Sequence, residues 1–523
     1  MTLFPPTSPF APVTPLFLMA VDSDLQAFLR EAHALLESCP SVVALVEADL
    51  DRHGQCKKAT RVADAQWMAE RNPPLCGLEL PPPEAGLRPL ELLHGRPRTP
   101  SYVVVMALLL RGYFGAGFKA CDATTMMQES ITLRVFFTNL GVKMPGRSTL
   151  TELVNAVGNE TRQRLLDAQI AQVLDLKLDD FKTMLQDSTH VEGNTAWPTD
   201  SRLMVALATR LLHVGGRLER VHLPVLESAE ARKALAVMVT LDREIDFSRG
   251  KKEGGHVRRR RYEKLLKQAH RAHLLLTAAL APFDRRLAEL DVRPSHKALA
   301  VRALERLHTD VDALAKVISN CEARVLRDEK VPMAAKLLSI SDPEAGFISK
   351  GQRVPVIGYK PQLARSGAGF ITGLLLPHGN ASDSGQLEPM VEEVIRRTHV
   401  TPSVVSMDDG YASIANVKAM RARGTKIISI NGAKGRALTA LADWDSEQYL
   451  EARNLRSAVE SLMFTLKQGF DFGEVARRGL SSVHAELLEK ALAYNVCHSV
   501  RLKKRAAAKG GLDAATNPTL AAA

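Results

Sequence analysis

The sequence predicts an α/β chain: a mixed sheet with helices on both faces, joined to a helical N-terminal region and split by a long helical insertion. Three observations predict it. The run FKTMLQDSTH (181–190) carries apolar residues straight into Asp187, as a buried strand ending at an acid does. Residues 202–334 read as almost continuous helix. After Met333 the apolar period changes to alternation, and strand-like runs then follow one another with amphipathic stretches between them.

At 523 residues, with 46% hydrophobic and 24% charged residues, the chain has the composition of a soluble globular protein and is too long for a single core. Six cysteines (Cys39, Cys56, Cys76, Cys121, Cys321 and Cys497) lie scattered without a CxxC pair. That excludes a zinc module or a disulfide framework and points to a reducing compartment. The N-terminus is Pro-broken and has no basic leader, and the apolar run VVVMALLLRGYF is interrupted by Arg111. Neither a signal peptide nor a membrane span is expected, so the reading is a cytoplasmic protein without a membrane partner. The net charge of +11 leans towards a polyanionic partner.

In chain order, residues 1–20 are Pro-rich and expected to be disordered. Residues 21–97 read as helices closed by a Pro-rich linker, with PPL at 73–75 and PPP at 81–83. Residues 98–177 are again helical. In MPGRSTLTELVNAV, Pro145 and Gly146 break the chain, and Thr149 with Glu152 reads as a capping box. Short helices joined by tight turns fit a helix-turn-helix DNA reader, and on spacing alone they fit a plain packing domain equally well. Within the insertion, Leu304, Leu307, Val311, Leu314, Ile318, Cys321 and Val325 recur at steps of three and four. That heptad stripe suits a helical hairpin or coiled-coil arm; its ordinary meaning is core packing.

RVPVIGYKPQLARS and GAGFITGLLLP read as a strand pair turning at SGAG. SGQLEPMVEEVIRRTH puts Leu387, Met390, Val391, Val394 and Ile395 on one helical face. SVVSMDDGY is a strand, a helix runs to about Arg423, and TKIISING is another strand. LRSAVESLMFTLKQGF is a helix with its stripe at Leu455, Val459, Leu462 and Leu466. The sheet domain therefore comprises 178–201 and 335–500, with 501–523 a disordered tail.

Two acids end buried-looking strands, Asp187 and Asp408, and ligands bind at the carboxyl ends of strands in such sheets. Glu460 lies on the last amphipathic helix, where Arg456 and Lys467 project from the same arc. Three hard oxygen donors that converge suit Mg²⁺. Each feature also has a bland reading: a surface ion pair for Arg456 and Glu460, a loop cap for the DDG turn, a helix-start cap for Asp187.

Taken together, the blocks resemble insertion-sequence transposases of the DDE type, whose catalytic domain has the ribonuclease H-like fold. DSTHVEGNTAWPTDS is similar to the family's first-aspartate block, and SMDDGYAS to its second, in which the acid stands two residues before Gly-Tyr and so selects Asp408 over Asp409. RSAVESLMFTLK resembles the third, with three residues between Arg456 and Glu460 and six between Glu460 and Lys467. Arg453 stands where the family usually has Tyr. The similarity runs from about Thr99 to about Val500.

The resemblance implies two Mg²⁺ ions, replaceable by Mn²⁺, held by Asp187, Asp408 and Glu460, and an in-line phosphodiester displacement that cuts transposon ends and joins them to target DNA. It also implies double-stranded DNA partners (terminal inverted repeats and target), a homodimer or larger synaptic assembly, and a nucleoid-associated prokaryotic location. Arg456 and Lys467 would hold DNA phosphates beside the metals. His190 and Glu192 invite a zinc reading, but strand alternation points both away from the face of Asp187.

Residues 249–271, RGKKEGGHVRRRRYEKLLKQAHR, hold ten Lys/Arg against Glu253 and Glu263, most of the chain's net charge. Arg258, Arg259, Arg260, Arg261 and Lys264 are candidate contacts to the DNA backbone; the ordinary meaning of such a run is a solvated face. Three further readings remain open: an inactive or domesticated DNA-binding relative, a metal-dependent nuclease without strand transfer, and a helical-arm scaffold.

Overall fold

The computed structural model of the chain describes residues 23–71, 98–115, 129–139, 141, 145–195, 199–219, 229–248, 254–289, 291–349 and 354–516. The Pro-rich start, the linker at 72–97 and the last seven residues of the expected tail lie outside these. The chain forms two compact units: Met1–His53, Arg96–Asn194 and Glu344–Ala523 make the first, and Gly54–Gly95 and Thr195–Pro343 the second.

Among the described residues, six helices precede the first strand: α1 (Ser23–Ser38), α2 (Pro40–Arg71), α3 (Ser101–Phe114), α4 (Ile131–Asn139), α5 (Arg147–Ala156) and α6 (Asn159–Asp175). Strands β1 (Thr183–Ser188) and β2 (Val191–Glu192) follow. The second unit then contributes α7 (Asp200–Glu219), α8 (Ala229–Phe247), α9 (Gly254–Glu289) and α10 (Pro294–Cys321). The first unit resumes with β3 (Gly346–Ile348), β4 (Val356–Tyr359), β5 (Gln362–Ser366), β6 (Ile371–Leu375), α11 (Leu387–Thr398), β7 (Val404–Asp408), α12 (Ile414–Ala422) and β8 (Ile427–Asn431). Three short helices, α13 (Ala433–Leu438), α14 (Leu441–Trp444) and α15 (Glu447–Asn454), lead to α16 (Arg456–Gly469) and the long α17 (Leu480–Thr516).

The main sheet has the order β6-β5-β1-β7-β8. β6, β5 and β1 run antiparallel in turn, whereas β7 is parallel to β1 and β8 to β7. A tight connection suffices for the antiparallel β5–β6 hairpin, but parallel neighbours need a crossover, which α11 and α12 supply. This is the ribonuclease H-like arrangement, with the helical insertion between its first and second strands. A second, small sheet has the order β2-β4-β3.

Strand alternation sorts the two faces. Met184, Ala364, Val405, Met407 and Ile430 pack with Leu387, Met390, Val391 and Val394 of α11 into one core. The intervening residues, including Asp187 and Asp408, face the opposite side, where α15 and α16 pack against the central strands.

Several expectations are corrected. RVPVIGYKPQLARS is two strands in different sheets, broken at Lys360-Pro361, because a proline lacks the N–H that a continuous ladder needs. β3 carries too short an alternation to be read. The cap of α5 is Gly146, extended at φ −66°, so the helix starts at Arg147 and the Thr149–Glu152 pair lies inside it, with Glu152 bonded to His53 instead. Leu455 stands just before α16 and is exposed, and Met463 joins Val459, Leu462 and Leu466 in the buried stripe. α17 continues to Thr516, well past residue 501, where the composition predicts a disordered tail.

In the second unit the heptad stripe is an ordinary core. Leu304, Leu307, Val311, Leu314, Ile318 and Cys321 are all buried among residues of α7, α8 and α9, and Val325 is half-buried beside them. In the first unit, α3 is apolar on every side and buried from Ser101 to Leu110. It crosses α17 at Gly112, where a Cβ would stand 1.9 Å from the carbonyl oxygen of Glu489. Backbone cannot move aside as a side-chain tip can. Gly112→Ala is therefore expected to force the two helices apart and cost about 1–3 kcal/mol, read as a lower thermal midpoint.

Candidate active site

β1 and β7 pair in parallel with Thr183 opposite Val404, Met184 opposite Val405 and Leu185 opposite Ser406. Continuing that register by two residues sets Asp187 level with Asp408 at the carboxyl ends of adjacent strands, about 5 Å apart across the ladder. Both stay ordered through backbone donors: Ser188 N donates to Asp187 Oδ1 at 2.7 Å and Gly410 N to Asp408 Oδ1 at 2.9 Å. Asp187 is 8% exposed. The neighbouring Asp409 turns elsewhere and accepts from Gly435 N at 2.9 Å, which fastens the turn to α13.

Glu460 sits on the flank of α16, beside the buried stripe. That helix packs against both β1 and β7, but the Glu460 carboxylate is 62% exposed and takes a bond from Arg456 at 3.1 Å. Among the described residues no three acids, histidines or cysteines are arranged to hold a metal ion. The structure thus brings Asp187 and Asp408 together and leaves Glu460 on the adjoining helix. The pair itself suits a divalent cation: two hard anionic oxygens at matching strand ends. An exposed i,i+4 ion pair is worth only a few tenths of a kcal/mol, so Arg456 offers little resistance to drawing Glu460 inward. Lys467 lies half-buried on the same arc of α16. Arg453 lies over the Trp444 ring at 5.1 Å.

Sequence reasoning misses the polar shell below this pair. Asp383, in the single turn before α11, accepts from Lys360 Nζ at 2.9 Å and Gln362 Nε2 at 2.8 Å. Burial alone would raise its pKa; the bonds from Lys360 and Gln362, the charge of Lys360 and a bond from Ser188 hold it below the ordinary value. Gln362 also accepts from the buried Tyr411 hydroxyl. That hydroxyl is pushed well up, by burial first and then by Asp383, Asp187 and Asp408, so the three carboxylates share one neighbourhood. The only trace in the sequence is that Lys360 and Asp383 are charges flanking otherwise apolar elements.

β1 ends at Ser188, so alternation does not extend to His190 as expected. His190 lines a cavity of about 410 Å³ with Thr189, Lys360, Ser382, Asp383 and Gly410. Glu192 is exposed on β2 in the small sheet. Trp197 lies outside the described residues.

From Gly254 onward the basic run falls on α9, and Arg249, Lys251 and Lys252 lie outside the described residues. Arg259 is engaged with Leu326 O at 2.6 Å and Asp328 at 3.4 Å, and Arg261 with the carbonyl and carboxylate of Glu244 at 2.8 and 3.1 Å. Arg258, Arg260, Lys264 and Lys267 are exposed. Steps of four and three place Arg260, Lys264 and Lys267 on one helical face. No helix among the described residues is long and apolar enough to cross a membrane.

Residues 340–496 match the family model described as a transposase DDE domain. The match takes in Asp383, Asp408 and Glu460, and Asp187 lies before it, across the insertion. No curated protein and no solved structure matches the chain.

Proposed function

From a chain that carries a DDE-type transposase domain, we propose a divalent-metal-dependent enzyme that cuts transposon ends and joins them to target DNA, with Asp187, Asp408 and Glu460 as its metal-holding acids. The observation that carries this reading is the parallel register of β1 and β7, which, continued two residues past Leu185 and Ser406, sets Asp187 and Asp408 at adjacent strand ends, with α16 packed against the same two strands.

Two Mg²⁺ ions bound there would supply Lewis acidity for an in-line displacement at phosphorus. The chain's own residues do the rest. Asp187 and Asp408 set two carboxylates where the backbone of Ser188 and Gly410 fixes them. Glu460 exchanges Arg456 for the site and completes the set of three acids. Arg456, released, and Lys467 face the DNA phosphates from one arc of α16, which positions the scissile bond without reading sequence. Helices α4 and α5 are the proposed reader of the transposon end, with Arg147, Ser148 and Thr149 exposed at the start of α5.

The test is incubation of the full chain with DNA carrying the ends that flank its own gene, in Mg²⁺ and in chelator. Nicked ends with 3′-hydroxyls and end-to-target joined products are expected only with the metal. Binding of end DNA without any metal-dependent cleavage would overturn the reading, and cleavage without joined products would reduce it to a nuclease.

The exposed face of α9 is proposed to grip the DNA backbone. Arg260→Ala/Lys264→Ala/Lys267→Ala is expected to flatten the slope of log affinity against log salt by about 0.9 for each DNA phosphate left unneutralised. Fluorescence anisotropy across a NaCl series measures it. Arg261→Ala, whose side chain is engaged with Glu244, should leave that slope nearly unchanged.

A further inference from the structure

The hydrogen bonds beneath the aspartate pair form a directional chain. Lys360 Nζ donates to Asp383 Oδ1 at 2.9 Å and to Ala381 O at 3.1 Å. Gln362 donates its amide N–H to the same carboxylate at 2.8 Å, and its amide oxygen receives the Tyr411 hydroxyl. A carboxylate only accepts, so Asp383 dictates which end of the Gln362 amide faces it and which faces Tyr411. Gln362 and Tyr411 are both fully buried, and Gln362 is anchored by its strand opposite Ser188. Tyr411 closes the turn that begins at Asp408.

The carboxylates of Asp383 and Asp408 both border Gly410 in that turn. A Cβ on Gly410 would stand 3.0 Å from Asp408 Oδ1 and 3.1 Å from Asp383 Oδ2. Asp383 is nevertheless ill placed as a metal ligand, since Oδ1 already takes two donors and Lys360 neutralises its charge.

We propose that Asp383, held by Lys360 and acting through Gln362 and Tyr411, is a positioning residue that fixes the Asp408–Tyr411 turn and so sets how tightly the aspartate pair takes a divalent cation. This rests on the assignment of Asp187 and Asp408 as metal-holding acids. Asparagine at position 383 can present either end of its amide. Gln362 then loses its enforced orientation, Tyr411 its acceptor, and Lys360 its counter-charge. Outer partners of metal ligands typically change metal affinity by about 10- to 100-fold when removed.

The experiment is Mn²⁺ binding to the full chain without DNA, followed by electron paramagnetic resonance, alongside Mg²⁺ titration of cleavage and a thermal midpoint without metal. Asp383→Asn is expected to weaken Mn²⁺ binding and raise the Mg²⁺ concentration for half-maximal cleavage by about tenfold, with the rate recovering at saturating metal. Tyr411→Phe, which removes one hydroxyl and keeps the buried ring, should shift both midpoints the same way by a smaller factor. Unchanged metal midpoints in both variants, or a rate lost equally at every metal concentration, would overturn the inference. Asp408→Asn run in parallel separates the two failures: undiminished Mn²⁺ binding and cleavage by that variant would remove the underlying assignment instead.

Discussion

Asp187→Asn, Asp408→Asn and Glu460→Gln are each expected to lower metal-dependent DNA cleavage by at least about a hundredfold while leaving DNA affinity within about twofold. Amide for carboxylate keeps the side chain's shape and its ability to accept the Ser188 or Gly410 backbone N–H, so the strand ends should stay in place. It removes the negative charge that a hard cation requires. Glu460→Gln is the most informative of the three. Its carboxylate is 62% exposed and bonded only weakly to Arg456, so the substitution should leave the thermal midpoint unchanged. Lost cleavage with an unchanged midpoint would show that Glu460 leaves its solvent-facing position to act at the site. Normal cleavage by any one variant would exclude that residue from the set of three acids.

The strand-end aspartates are legible in the sequence because each ends an apolar run, and a carboxylate in that place needs a reason. The mixed sheet with covering helices is legible because short alternating runs and amphipathic stretches follow one another after Met333, even with the whole helical insertion standing between the first strand and the rest. What escapes is set by tertiary contact. Asp383, Lys360 and Gln362 look like surface residues until β5 and the turn before α11 fold over Tyr411. Pro361 marks the break at Lys360-Pro361, but that its two sides join different sheets shows only in the fold, and Glu152 bonds His53, far away in the chain, rather than capping α5. The side-chain position of Glu460 is likewise unreadable, since spacing fixes its arc on α16 but not which of Arg456 or the strand ends it faces.

Glu489→Gln is expected to destabilise the first unit by about 3–5 kcal/mol, the usual result of stripping one partner from a buried ion cluster. Glu489 is 1% exposed on α17 and meets three guanidiniums: Arg162 at 2.8 Å, Arg477 at 2.9 Å and Arg111 at 3.7 Å. Arg162 in turn donates to the carbonyls of Val157 and Val154, the latter at 2.9 Å, and so ties the end of α5 to α6 and α17. Burial by itself would raise the Glu489 pKa, but Arg111, Arg477 and Arg162 outweigh it and hold it at about 2. A depressed folded-state pKa means that its stabilisation is fully present above the unfolded value, about 4.5, and is lost as pH falls through about 2. Wild type should therefore lose stability across that acid window, and Glu489→Gln should lose much less there, having forfeited the contribution at every pH. Thermal midpoints between pH 2 and 7 measure both. Because Arg162 and Glu489 touch, Arg162→Met combined with Glu489→Gln should cost less than the two separate losses added together. Simple additivity, or a flat pH dependence in wild type, would mean that the cluster is not what holds α5 and α6 against α17.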